Sequence, residues 1–485
     1  MPARPAVKSI LALVAFVGLL NFVTMPAEEY VGDGIAVRIE TIGIINGGQW
    51  VVPPDVAHEW GARGQYFYEN SNGAFYPKYG ILNTLIYVPC LWAQKIARGE
   101  LSLDSDNTLS LNLFNIVLSC ATAAYLALLA RRYTNSNVTM SIFVIAALYS
   151  TFWWNYLRAQ TFEIYLTLFL LAFYYHFASA WNSQQRVRRN HQFLLAAIYL
   201  GLLCLSKTVY GIWVPIVVAF FALTKSESNR IEQLLWFGLP LSIFLCLLLA
   251  SNWYKFGSPF NTGYTQWSEE ARPFTANLLP GFVGFLASKQ GSVFLHFPVL
   301  LFALIGWPIF FKSRKGEALL IVGLGAALFL VSSAFTNWKG EACYGPRYLL
   351  PVLPLVSLPF VHFLDWLSGL TNAALKWLLR GVVTVSLAYS FLLQVGVNSL
   401  PFFFWYGLLP ITEESSAASN YLDAHHFGTI NIDFIRDGFG CPSRFRTDFV
   451  NKLEPEQFVE LEGLRAETEL NYYWLRKSFK TPPLN

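Results

Sequence analysis

Charge is what this chain has least of. Asp, Glu, Lys and Arg make up 13% of its 485 residues, against about 25% in soluble domains. Hydrophobic residues reach 54% and aromatics 17%, so the missing polar surface must be replaced by surface that faces lipid. An ordinary soluble enzyme is excluded. Cysteine is sparse as well: six occur, none in a C-x-x-C pair, which argues against zinc and redox motifs. No internal repeat is visible, so an inverted-repeat transporter receives no support. No clean A-x-A site follows the apolar run after Arg4 and Lys8, so an uncleaved first span is expected rather than a removable signal. The net charge of +4 is unremarkable, and no nucleic-acid partner is expected.

What the chain has is a series of apolar runs near 20 residues long, each able to cross roughly 30 Å of hydrocarbon as a helix. The expected fold is an all-α polytopic membrane protein of about 11 transmembrane helices. The spans are placed at 9–26, 108–130, 137–155, 162–181, 192–207, 209–224, 233–253, 292–311, 318–336, 348–365 and 381–398. The ambiguous segment is Tyr79–Ala97, broken by Asn83, Thr84, Pro89 and Gln94. Laid in the outer interface as an amphipathic helix, it leaves 14 basic and 4 acidic residues on the inner side of the chain. The outer loop 27–107 then holds 10 acidic and 5 basic residues, as the positive-inside rule requires. Four regions follow: a first helix (1–26), an external catalytic loop with interfacial helices (27–107), a bundle of about ten helices (108–398) and an external C-terminal region, α/β or irregular (399–485).

This topology gathers the unusual polar residues on the outer side. Asp33, between Gly32 and Gly34, is placed to take a proton from an incoming hydroxyl; the plain alternative is an Asp-Gly turn at a helix exit. Lys78, in Tyr76-Pro77-Lys78-Tyr79-Gly80, suits a phosphate as a point charge or else snorkels to headgroups. Glu163 at a span entrance needs a partner or a task, and Arg158 five residues earlier could be that partner. Lys207 between two apolar runs either lines a water-filled cavity or marks a turn. Trp338 to Tyr348 is the densest polar-aromatic cluster. Within it Arg347 has the planar fork for a phosphate, with Lys339, Glu341, Tyr344 and Tyr348 beside it and Arg38 in the first loop as further substrate contacts. His425-His426 with Asp423 reads as a solvated tail cluster. Cys343 and Cys441 both face the oxidising side, where a disulfide is open to them.

In this order the pieces resemble the GT-C superfamily of membrane glycosyltransferases, near the protein O-mannosyltransferases and the aminoarabinose transferases of lipid A. The resemblance spans roughly 9–400. Its most specific motifs are Phe256-Gly257-Ser258-Pro259-Phe260-Asn261-Thr262-Gly263-Tyr264 and Tyr344-Gly345-Pro346-Arg347-Tyr348-Leu349-Leu350-Pro351. It implies a polyprenyl-phosphate sugar donor, inversion at the anomeric carbon, and a lipid, glycan or protein acceptor. Asp33 and Glu163 stand at the catalytic acids; Lys78, Lys207, Arg347 and Arg158 stand near the donor phosphate. Gly34 replaces the second acid that many relatives carry after the first. No cofactor is firmly implied, and a divalent cation near Asp33 and Glu163 is left open. The implied setting is a bacterial inner membrane, N-terminus in the cytoplasm, active site and C-terminus outside. The competing class is a multi-span transporter or flippase of lipid-linked sugars, which would place its ionisable groups near span midpoints.

Overall fold

An apolar run with its basic residues confined to the start forms α1 (Arg4–Val23). A computed structural model describes this helix and the rest of the chain over residues 4–27, 33–60, 66–99, 101–102, 107–223, 230–264, 277–288, 291–338, 340, 344–398 and 472–474. The first loop is built from short elements: α2 (Asp33–Gly47), α3 (Pro54–Trp60), the hairpin β1 (Phe67–Glu69) and β2 (Phe75–Pro77), α4 (Ile81–Leu85) and α5 (Val88–Arg98). The strands pair antiparallel, Tyr68 opposite Tyr76. Asn70 closes the turn, its Oδ1 accepting the Asn72 and Ala74 amides. The expected single interfacial helix over Tyr79–Ala97 is in fact two, because Pro89 suits only a first turn and starts α5 afresh.

The bundle follows with α6 (Thr108–Ala130), α7 (Asn137–Tyr149), α8 (Trp153–Arg158), α9 (Glu163–Trp181), α10 (Arg186–Ser206), α11 (Trp213–Leu223) and α12 (Arg230–Phe256). Then come α13 (Leu278–Ala287), α14 (Val293–His296), α15 (Val299–Ser313), α16 (Lys315–Ser333), α17 (Leu353–Val356), α18 (Phe360–Ser368) and α19 (Ala373–Asn398). α9 is the centre, 83% of its apolar window buried, whereas α12 and α19 bury only 17% of theirs. Their open faces, such as Ile231, Leu235, Leu239 and Ile243 on α12, are apolar, which suits lipid and not water. Polar clasps fix the packing inside: Asn21 of α1 donates to Ser119 of α6 at 2.7 Å and accepts from Tyr149 of α7 at 3.2 Å.

Among the described residues five helices are long and apolar enough to cross a membrane: α6, α9, α12, α16 and α19. Others, including α7, α11 and α15, are apolar but shorter. The chain is an integral membrane protein, and the expected count of about 11 rests on treating shorter and broken helices as spans. One expected span is visibly interrupted. Over 348–365 the chain forms a 3₁₀ turn (Arg347–Leu349), then α17 and α18, because Pro351, Pro354 and Pro359 each remove an amide donor. Another, 292–311, divides at Pro298 into α14 and α15.

The bundle has two polar ends. At one, Glu317 of α16 accepts from Tyr133 at 2.5 Å, Asn182 at 3.0 Å and Arg132 at 3.5 Å, and Arg186 pairs with Glu232 at 2.7 Å. At the other lie the first loop, the start of α9, and the ends of α10, α12 and α16. The segment 472–474 also returns to α1: Tyr473 donates its amide to Met25, and Trp474 Nε1 donates to the Phe22 carbonyl, each at 2.9 Å.

Candidate active site

Asp33 opens α2 instead of sitting in a turn, so its carboxylate stands where the helix presents unpaired amides and a partial positive charge. Glu163 likewise opens α9. The turn before it is held by Gln160, whose left-handed backbone (φ 56°) is unusual for a non-glycine residue. Three contacts pin that turn: Tyr87 donates to the Gln160 carbonyl at 3.1 Å, Gln160 Nε2 donates to Asn112 at 2.9 Å, and Asn115 donates to the Leu157 carbonyl at 3.0 Å.

The cations come from three more segments. Lys78 follows directly on the β-hairpin, its amide bonded to the Tyr66 carbonyl at 3.1 Å. Lys207 caps the C-terminus of α10. These two meet because Gly80 lies against the last turn of α10: a Cβ there would stand 2.1 Å from the Leu205 carbonyl oxygen. Asn83 completes the joint, donating to the Ser206 carbonyl at 2.8 Å and accepting from Tyr165 at 2.6 Å. Arg347 is thrown inward by Gly345-Pro346. Gly345 is left-handed (φ 71°), and Pro346 (φ −77°, ψ 68°) is the centre of an inverse γ-turn closed by the Arg347 amide at 2.8 Å.

The result is a cavity of about 520 Å³ lined by Asp33, Glu163, Lys78, Lys207, Arg347 and Tyr348 among others. Arg347 Nη2 donates to Asp33 Oδ2 at 2.5 Å, and its Nε to Glu163 Oε1 at 2.9 Å. Lys207 Nζ donates to the same Glu163 oxygen at 3.2 Å. Tyr79 donates its hydroxyl to Asp33 Oδ1 at 2.6 Å. Lys78 Nζ sits 5.2 Å from the Tyr264 ring centre and 5.6 Å from that of Tyr79, within cation–π range. Asp33 keeps 28% of its side chain open and Lys207 17%, while Glu163 keeps 1%. An incoming group therefore meets the first two, with Glu163 behind them as the anchor of both cations.

The electrostatics follow. Burial pushes the Asp33 carboxyl up, but Arg347, Lys78, the Tyr79 hydroxyl and Lys207 outweigh it and hold it well below the usual carboxylate range. Burial and then the Asp33 charge push the Tyr79 phenol well above its ordinary value, so Tyr79 remains a proton donor to Asp33. Part of the lining is apolar: Val209 and Ile212 of the 3₁₀ turn Thr208–Ile212, with Leu328, Val331 and Phe335.

Of the other expected residues, Arg158, Tyr344 and Arg38 are not among those lining the cavity. Arg158 is buried away from it, donating to the carbonyls of Thr24 (2.9 Å) and Asn398, with its guanidinium 5.0 Å from the Tyr472 ring centre. Glu163 pairs with Arg347 and Lys207. Tyr344 packs edge-on to His296 and accepts from Gln394 at 3.0 Å. Arg38 is buried within α2. Lys78, 4% exposed, does not snorkel. Lys339, Glu341, Cys343, Cys441, Asp423, His425 and His426 lie outside the described residues. Tyr79 and Tyr264 are site residues to which sequence reasoning gives no role; the place of Tyr79 next to Lys78 is a signal for the first, and spacing offers none for the second. Among the described residues no group of three His, Cys, Asp or Glu gathers to hold a metal. Arg347 already spans the two carboxylates, so the residues present do not fit a divalent cation between Asp33 and Glu163.

Residues 91–254 match the profile of the dolichyl-phosphate-mannose-protein mannosyltransferases. An uncharacterised protein of Aquifex aeolicus is 26% identical over 387 residues, which are 76% of this chain and 70% of that one. Among solved structures, the archaeal oligosaccharyltransferase of Archaeoglobus fulgidus, tethered to an acceptor peptide, is similar with a TM-score of 0.54 and 13% identity. That match covers 85% of this chain and 58% of that one. AglB of the same organism, in complex with an inhibitory peptide and a dolichol-phosphate, gives 0.52 at 11% identity over 86% and 59%. ArnT from Cupriavidus metallidurans, bound to undecaprenyl phosphate, gives 0.49 at 13% identity over 92% and 76%. The helical frame is similar to that of the archaeal oligosaccharyltransferase.

Proposed function

We propose that this chain, on its GT-C frame, is a glycosyltransferase that moves a sugar from a polyprenyl-phosphate donor to a lipid, glycan or protein acceptor on the external face, with inversion. The observation that carries the reading is one cavity in which two carboxylates and three cations from five chain segments meet beside apolar side chains. A polyprenyl tail costs about 0.8 kcal/mol per CH₂ to expose to water, and the apolar lining of Val209, Ile212, Leu328 and Val331 offers it cover. Arg347, Lys207 and Lys78 then take the phosphate.

In the reaction the acceptor oxygen forms a bond to the anomeric carbon from the face opposite the phosphate. The bond from that carbon to the phosphate oxygen breaks, and its electron pair leaves with polyprenyl phosphate. Asp33 takes the acceptor proton. Negative charge grows on the leaving oxygen, where prearranged cations act more strongly on the transition state than on the ground state. One such contact is worth roughly 2–4 kcal/mol. Glu163 stays behind these cations, its Oε1 holding Arg347 and Lys207 in place for the phosphate.

The test is purified protein given radiolabelled polyprenyl-phosphate sugars with candidate acceptors. Transfer, or release of polyprenyl phosphate, supports the enzyme. Movement of intact donor across vesicles without bond cleavage would replace it with a flippase.

A further inference from the structure

Two buried charges stand behind the cavity wall and take no part in the chemistry above. Glu40 and Lys255 are 1% and 2% exposed. Lys255 Nζ lies 3.3 Å from one Glu40 oxygen and 3.4 Å from the other. Glu40 follows Asp33 on α2 by seven residues, about two turns along the same face. Lys255 sits in the last turn of α12 and also donates to the Tyr79 carbonyl at 3.4 Å. The Thr84 hydroxyl of α4 donates to Glu40. Because the Tyr79 phenol holds Asp33, these contacts close a ring: Asp33, α2, Glu40, Lys255, the Tyr79 backbone, the Tyr79 hydroxyl, and Asp33 again.

We propose that Glu40 and Lys255 form a positioning pair that fixes Tyr79 against Asp33 and so sets the direction in which the Asp33 carboxylate faces the acceptor. The role attributed to Asp33 comes from the function proposed above. A buried ion pair is an expensive way to hold helices together, since two well-packed apolar side chains often do as well or better. What apolar side chains cannot do is grip a carbonyl oxygen. Lys255 donates to that of Tyr79 at 3.4 Å, and Glu40 aims the lysine. Of the described residues lining the cavity, Tyr79 is the one whose carbonyl Lys255 hydrogen-bonds, while the Phe256 ring lies 5.9 Å from the same Nζ; the effect is assigned to Tyr79.

The experiment compares Glu40→Gln/Lys255→Met, Tyr79→Phe and the triple variant in the full-length protein. The double variant removes both charges together, so neither is left orphaned, and it should melt close to wild type. Its kcat should fall by roughly 10- to 100-fold while the KM for donor holds, because Lys78, Lys207 and Arg347 are untouched. The triple variant should be no slower than Tyr79→Phe. In substrate-free protein, amides of residues 79–84 should exchange hydrogen faster in the double variant. Wild-type kcat in the double variant, full multiplication of the two effects in the triple, or unchanged exchange would each overturn the pair's role. If the double variant fails to fold, Thr84→Val loosens the same carboxylate and must likewise show no further loss on top of Tyr79→Phe; a multiplied loss sinks the proposal. If wild type transfers nothing from any donor, the proposed function fails while the exchange measurement still decides the pair.

Discussion

Arg347 reaches back 314 positions to set its Nη2 2.5 Å from Asp33 Oδ2, and the same guanidinium holds Glu163 through Nε at 2.9 Å. A lysine has one point of charge and cannot span both carboxylates with fixed geometry. Arg347→Lys should therefore lower kcat/KM by about 10²–10³, equivalent to roughly 2.7–4 kcal/mol. Initial rates of polyprenyl-phosphate release measure it. A rate within threefold of wild type would take the fork out of the mechanism.

Asp33→Asn keeps the volume and removes the base. It should abolish transfer yet leave the protein inserted and monodisperse on gel filtration. Turnover retained in such membranes would free Asp33 from its proposed role.

The pH dependence has a definite sign. The folded carboxyl of Asp33 is held below its ordinary value, near 3.9 in an unfolded chain. Its ionisation therefore adds stability that is fully present above about pH 4 and lost as pH falls through the folded value. Tyr79→Phe deletes one of the interactions that hold it down, so the acidic limb of kcat/KM should move to higher pH. A limb that stays or moves down contradicts the Tyr79–Asp33 contact.

Gly80→Ala is a test of the joint between Lys78 and Lys207. The added Cβ would sit 2.1 Å from the Leu205 carbonyl and 2.6 Å from that of Ser206, so backbone must shift. The expected cost is about 1–3 kcal/mol, read as a lower melting temperature with a raised KM for donor. An unchanged melting temperature would show that α4 and α10 are not packed this closely.

At the opposite end, Glu317→Ala strips the acceptor from Tyr133, Asn182 and Arg132. Leaving such partly buried donors without their acceptor costs about 1–3 kcal/mol. Thermal melts should show the loss, while kcat per folded molecule stays at wild type. A selective loss of kcat would tie that end to catalysis.

Much of the cavity could be read from sequence, because charges at the margins of apolar runs stand out. Asp33, Lys78, Glu163, Lys207 and Arg347 are all of that kind. Charge alone does not say which neighbour a residue finds. Arg158 looked like the partner of Glu163 at five residues' distance, yet its bonds go to Thr24 and Asn398. Lys255 pairs with Glu40 across 215 positions, a meeting set by helix packing and invisible to spacing. The interruption of 348–365 was legible in principle: three prolines in nine residues outweigh any hydropathy average.

Three cations against two carboxylates leave the cavity with surplus positive charge, and that surplus acts after the reaction as well as before it. A sugar phosphodiester carries a single negative charge, whereas the monoester left behind carries about −1.5 to −2 at neutral pH. In the proposed reaction the spent carrier is thus the better counterion for Arg347, Lys207 and Lys78, and free polyprenyl phosphate is expected to compete with fresh donor.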